Sequence, residues 1–165
     1  MGDYFTQFAC ALDLGAAERA QAALALLDDI REAEAESDDE ALYGFDAEID
    51  VAHPGQLFIT DGGGSGEPEH VIKFVLRCAA AFDLEGRWGF TWALTCSRPR
   101  VDGFGGGPQL LDLTQRKSLD RIDCDHWLAG ELADDDPSGG SAPASTTADP
   151  SGPPMAGRSV SGNEL

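Results

Sequence analysis

Asp46, Glu48 and Asp50 occupy every second position of the segment Phe45 to Val51. This alternation sets carboxylates on one face of a β-strand and Phe45, Ala47, Ile49 and Val51 on the other. Three carboxylates in a row invite a metal reading, because two-metal hydrolases are built from such clusters. Same-face neighbours on one strand stand about 6.5 to 7 Å apart, too far to share an ion without ligands from a second strand. Asp13, at the end of the first predicted strand, is the one helper, and no histidine is placed beside it. The carboxylates Asp13, Asp46, Glu48 and Asp50 therefore read as a partner-binding face for a basic protein. The plain alternative is the solvated outer face of a half-buried sheet. No metal and no cofactor is expected.

A second constellation joins Arg98 and Arg100 to the run Gly103-Phe104-Gly105-Gly106-Gly107. Cations and the backbone N–H groups of a glycine loop coincide here, so Arg98, Arg100, Gly105 and Gly106 form a candidate anion or carboxylate pocket. A long hairpin loop explains the same residues equally well. The run Gly62 to Gly66 lies between a strand and a helix, where phosphate-binding loops lie. It lacks the Gly-Lys-Ser/Thr ending, and Glu67 and Glu69 would set negative charge against a phosphate, so it reads as a flexible loop. Cys124-Asp125-His126 suggests zinc, but a structural site needs four ligands in paired spacings, and Cys10, Cys78 and Cys96 are scattered singly.

The elements that must position these residues follow from periodicity. Tyr4 to Leu14 alternates as a strand, with Tyr4, Phe8, Cys10 and Leu12 on one face. Beyond Gly15 the spacing of Ala20, Ala23, Leu24, Leu27 and Ile30 is helical, and the acidic run Glu32 to Glu40 should fray that helix at its already negative C-terminus. Phe45 to Val51 and Leu57 to Thr60 form a hairpin around His53-Pro54-Gly55. Pro68 opens a second helix with Val71, Ile72, Val75, Ala79 and Phe82 as its buried stripe. Trp88, Phe90, Trp92, Leu94 and Cys96 mark a central strand. After a loop over 97–108, a last hairpin turns at Gln115-Arg116-Lys117, and Asp125 caps a short helix through Trp127, Leu128 and Leu132.

The order strand, helix, strand, strand, helix, strand predicts an α+β protein: a ferredoxin-like split βαβ sandwich with an added C-terminal hairpin. Both helices then cover one face of an antiparallel sheet. The other face displays Gln7, Ala9, Asp46, Glu48, Asp50, Thr91, Ala93 and Thr95. The expected domain is 1–132, about the size at which one core buries two thirds of the unfolded surface. Residues 133–165, rich in Pro, Ser and Gly, should form a disordered tail.

Of the 165 residues, 30 are Asp or Glu and 11 Lys or Arg, for a net charge of −19. Residues 1–50 hold 14 of the acids against 2 basic residues. Such a surface repels phosphate backbones and draws in basic proteins, so direct nucleic-acid binding is not expected. No apolar run reaches the roughly 20 residues that span a bilayer, no export signal is evident, and the unpaired cysteines suit a cytoplasmic protein.

The segment from Trp88-Gly89-Phe90 through Cys96-Ser97-Arg98-Pro99-Arg100 to Asp102-Gly103-Phe104-Gly105-Gly106-Gly107 resembles a family of small acidic proteins of uncharacterised role encoded on bacterial plasmids and other mobile elements. The resemblance covers about Tyr4 to Leu132. It implies a bacterial accessory protein and carries over no catalytic residue. The expected function is a non-enzymatic acidic interaction protein, an inhibitor or nucleic-acid mimic acting on a basic, nucleic-acid-handling partner. The competing expectation is an enzymatic or small-anion-binding domain using Arg98, Arg100 and the 103–107 loop.

Overall fold

The computed structural model describes residues 2–35 and 43–134. Six strands and three helices alternate: β1 (Tyr4–Asp13), α1 (Ala17–Ala35), β2 (Asp46–Ile49), β3 (Gln56–Thr60), α2 (Pro68–Phe82), β4 (Arg87–Cys96), β5 (Gly105–Asp112), β6 (Lys117–Arg121) and α3 (Cys124–Asp134). The strands form one antiparallel sheet in the order β2-β3-β1-β4-β5-β6. The protein is therefore α+β. The expected disordered tail lies outside the described residues, apart from the last turn of α3, which continues past Leu132 to Asp134. The expected fraying of the acidic segment beyond Ala35 lies outside them too.

The sheet has a covered face and an open one, set by the strand period of two. Phe8 and Leu12 of β1, Leu57 and Ile59 of β3, Phe90 and Trp92 of β4 and Leu111 of β5 share one buried cluster with Ala20, Ala23 and Leu27 of α1 and Val71, Phe74, Val75 and Cys78 of α2. Phe8 meets Phe90 edge-on at 5.7 Å, and Phe45 meets Phe74 at 5.6 Å. Each such side chain contributes about 1.5 to 3 kcal/mol by leaving water. Alanines on the sheet side of α1 let its backbone approach closely, and Arg31 fastens its far end by donating to the Phe45 carbonyl at 2.7 Å while lying over the Phe45 ring.

α2 carries the stronger apolar stripe. Pro68 sits where the first helical N–H would lack a partner, and Asp83 ends the helix in the left-handed region with φ 50°, its N–H reaching the Ala79 carbonyl. The helix thus stops at Phe82.

Several expectations are corrected at element ends. Tyr4 and Val51 are exposed rather than buried, because β1 has only just begun at Tyr4 and β2 has already ended before Val51. Asp50 belongs to the turn, not the strand. The run Gly62 to Gly66 is tied to the sheet: the Thr6 N–H donates to the Gly64 carbonyl at 2.9 Å and the Gly66 N–H to the Thr6 carbonyl at 3.1 Å. Gly105, Gly106 and Gly107 are not loop but strand, paired with Leu94, Ala93 and Trp92. Gly106 is required there, since its φ is 103° and a Cβ would sit 2.3 Å from the Trp92 carbonyl oxygen. The cap of α3 is Asp123 and not Asp125, because Asp123 Oδ1 accepts from the N–H groups of Asp125 and His126, both at 3.1 Å.

β1 changes partner along its length. It pairs with β4 from Tyr4 to Phe8, and with β3 from Ala9 to Asp13. Past Phe8↔Trp92 the ladder between β1 and β4 stops, although both strands continue. The indole N–H of Trp88 instead reaches across to the Ala11 carbonyl at 2.8 Å.

Candidate functional site

The open face is built by cross-strand registers that place side chains in rows. One row runs Glu48, Phe58, Ala11 on β2, β3 and β1, and continues as Gly89, Leu110, Asp120 on β4, β5 and β6. The next runs Asp46, Thr60, Ala9, then Thr91 and Pro108, with Ile122 alongside through its N–H bond to the Pro108 carbonyl. Read across the sheet, both rows go from acid at the β2 edge to small residues at the centre. The first row regains a large apolar residue at Leu110 and an acid at Asp120.

The centre is hollow. A cavity of about 660 Å³ is lined by Ala9, Ala11, Gly89, Thr91, Leu110 and Ile122, at the fork where β1 and β4 part. A second hollow of about 650 Å³ lies further along the same strands, with Gln7 and Ala93 added, and Ala9 and Thr91 line both. Together they make a trough running along β1 and β4. Gly89 is the residue that brings β5 close, since a Cβ there would stand 2.5 Å from the Gln109 carbonyl oxygen.

The four carboxylates expected to act together do not share one environment. Asp46 and Glu48 project from β2 on the open face, both exposed. Asp13 accepts the Gly15 N–H at 2.8 Å and so holds the β1–α1 turn. Asp50 accepts the Ala52 N–H at 2.8 Å and pairs with His53 Nδ1 at 2.9 Å. The hydrogen bond from His53 holds its carboxyl below the usual carboxylate range. Two of the four are therefore engaged in turn chemistry, where Asp is favoured because its side chain mimics a backbone acceptor.

The arginine and glycine constellation is also dispersed. Arg100 forms a two-pronged ion pair with Asp102, Nε to Oδ1 at 2.9 Å and Nη2 to Oδ2 at 3.0 Å. That hydrogen bond lowers the Asp102 carboxyl and raises the guanidinium of Arg100. Arg98 is exposed, while Gly105 and Gly106 are paired into the sheet. Among the described residues, no group of three or more His, Cys, Asp or Glu is placed to hold a metal ion. No helix among them is long and apolar enough to cross a membrane.

Residues that the sequence reading left out complete the open face: Phe58, Leu110, Asp120, Pro108 and Ile122. Asp120 Oδ1 accepts the Arg121 N–H at 2.8 Å, and the side chain remains exposed at the sheet edge. A glycine isolated in an apolar strand, Gly89, was the available signal of close backbone approach. The row toward the β1–α1 turn is mixed in charge, with Asp13, Arg87, Asp112 and Lys117, so the purely acidic rims lie beside the trough. Comparison with protein-family models, with curated proteins and with solved structures found no match.

Proposed function

We propose that this is a non-enzymatic acidic interaction protein whose open sheet face receives a basic segment of a protein partner. The observation that carries the reading is the pattern of the open face: Asp46 and Glu48 on one edge, Asp120 on the other, and an uncovered, small-residue centre between them. A half-exposed sheet that served only as a solvated surface would spread polar residues over its centre as well. The strand order β2-β3-β1-β4, with α1 and α2 packed on one face, supports a ferredoxin-like split βαβ core to which β5 and β6 are appended. No Lys or Arg is among the residues lining the trough, and its aromatics Phe8, Phe90 and Trp92 are buried in the core, unlike the exposed stacking aromatics flanked by Lys and Arg on an RNA-binding sheet of this kind. The family resemblance implies a bacterial accessory role, and four free thiols suit a cytoplasmic location.

The test is a pull-down with the untagged protein as bait, at low and at high ionic strength. Basic proteins should be captured at low salt and lost at high salt. The double change Asp46→Asn, Glu48→Gln should abolish capture. The matched change Asp28→Asn, Glu32→Gln, on the solvent side of α1, should only slow it, because distant charges steer encounter more than they hold a complex. Equal loss from both pairs would reduce the effect to bulk charge and sink the site assignment.

A further inference from the structure

We infer that the trough at the β1–β4 fork seats a cationic amphipathic α-helix of the partner, its apolar side against the small residues and its Lys or Arg residues against the two acidic rims. The inference rests on the reading of the open face as a protein-docking surface, and adds the shape and chemistry of what docks.

Paired strands stand about 4.8 Å apart, so Phe58 on β3 and Leu110 on β5, three steps from each other across the open β1–β4 fork, form walls at least about 14 Å apart. A helix with its side chains is about 10 to 12 Å across and fills that width, whereas a single extended strand would touch one wall at most. The rims on β2 and β6 are five steps, at least about 24 Å, apart. Lysine or arginine stems leaving both flanks of a seated helix reach outward over Phe58 and Leu110 and end beside Glu48 and Asp120.

The floor is suited to close approach. Ala9, Ala11, Gly89 and Thr91 are all exposed and none projects beyond a short side chain. The two hollows run end to end along the strands, so the trough is elongated in the direction in which a helix would lie. Charge supplies the polarity of the occupant. Asp46 and Glu48 on one edge and Asp120 on the other, on a chain of net charge −19, disfavour an acidic helix and a second copy of this chain. Phe58 at 39% and Ile122 at 47% exposure are large apolar groups beside the trough that a seated helix would cover.

The probe is a fluorescent synthetic peptide of about five helical turns, with Ala and Leu along one face and Lys on both flanks. Its companion is a scrambled isomer of identical composition that lacks the face. Both are titrated into the full-length protein at low salt. The amphipathic peptide should bind at least about tenfold more tightly than the isomer and gain helical circular dichroism on binding. Ala11→Trp, which fills the trough from an exposed position, should erase that advantage and leave the isomer's binding unchanged. Should Ala11→Trp fail to fold, Thr91→Trp on the other side of the fork carries the same test. Asp46→Asn with Glu48→Gln should weaken both peptides. Equal binding of the two peptides, or an advantage that survives a folded trough-filling variant, overturns the helix inference and leaves the acidic docking surface standing. If neither peptide binds, both fall.

Discussion

The indole of Trp92 shows how one residue can be well packed and still incompletely satisfied. It is 8% exposed, beneath the helices, with the guanidinium of Arg121 4.7 Å from its ring centroid, while its own Nε1 has no hydrogen-bond partner among the described residues. Arg121 in turn donates to Glu69 in the first turn of α2, so the edge strand β6 is fastened over the core. Trp92→Ala should cost about 3 to 5 kcal/mol in chemical denaturation, the usual penalty for emptying a large aromatic site. Trp92→Phe should cost much less, because it removes a buried N–H that bonds to nothing along with part of the ring. Equal losses from the two variants would show that the N–H is paired in solution. The half-buried thiol of Cys10 and the buried thiol of Cys78 give a second measurement at this scale. Desolvation pushes Cys10 and Cys78 up to about 12, against an ordinary value near 9.0. Their folded pKa is raised, so the stability they contribute is complete below about pH 9 and is lost as pH climbs toward 12, by up to about 1.4 kcal/mol per pH unit for each thiol. Urea midpoints should fall over that window in the native protein and fall less in a Cys10→Ala, Cys78→Ala variant. The exposed Cys124 should react with a thiol reagent at pH 8 before the half-buried Cys10 and long before the buried Cys78.

Elements divide into those whose signal is carried by side chains and those held by backbone alone. The alternation Phe45 to Ile49, the stripe of α2 and the heavy face of β4 were legible because each buried position repeats at its element's period. The ends were not. Asp50 and Val51 continue the alternation on paper, yet the His53-Pro54-Gly55 turn draws Asp50 into its own hydrogen bonds and leaves Val51 in water. Gly105 to Gly107 reads as a loop because glycine has no side chain with which to declare a strand, and its pairing with β4 is purely main chain. Of the candidate site, Asp46 and Glu48 could be found from their own strand. The opposite rim at Asp120 and the trough could not, since both depend on registers among six strands and on where β1 leaves β4.

At the scale of the molecule, acidity outweighs its internal compensation. The ion pairs of Arg100 with Asp102, Arg116 with Asp83 and Arg121 with Glu69 are all exposed, and such pairs contribute little. With 30 acidic residues against 11 basic ones, repulsion within the folded chain should dominate its response to salt. Raising sodium chloride from about 10 mM to several hundred millimolar shortens the Debye length from about 30 Å to below 8 Å and should raise the melting temperature by several degrees. A flat or falling melting temperature would mean that the carboxylates are already neutralised locally. The same salt should weaken capture of a basic partner, so stability and binding are expected to move in opposite directions.

The partner change of β1 bears on the order in which the chain can assemble. Its first half waits for β4 and its second half for β3, and the Asp3 N–H closes on the Ser97 hydroxyl 94 residues away. During synthesis the second half of β1 can pair with β3 as soon as β3 emerges, whereas the first half has no ladder until the ribosome has released the Trp92 to Cys96 end of β4. Until then Phe8 lacks its cross-strand partner Trp92 while translation proceeds at about 5 to 20 residues per second. Joining the first half of β1 to β4 closes a loop of more than eighty residues, so it carries the larger closure-entropy cost of the two pairings.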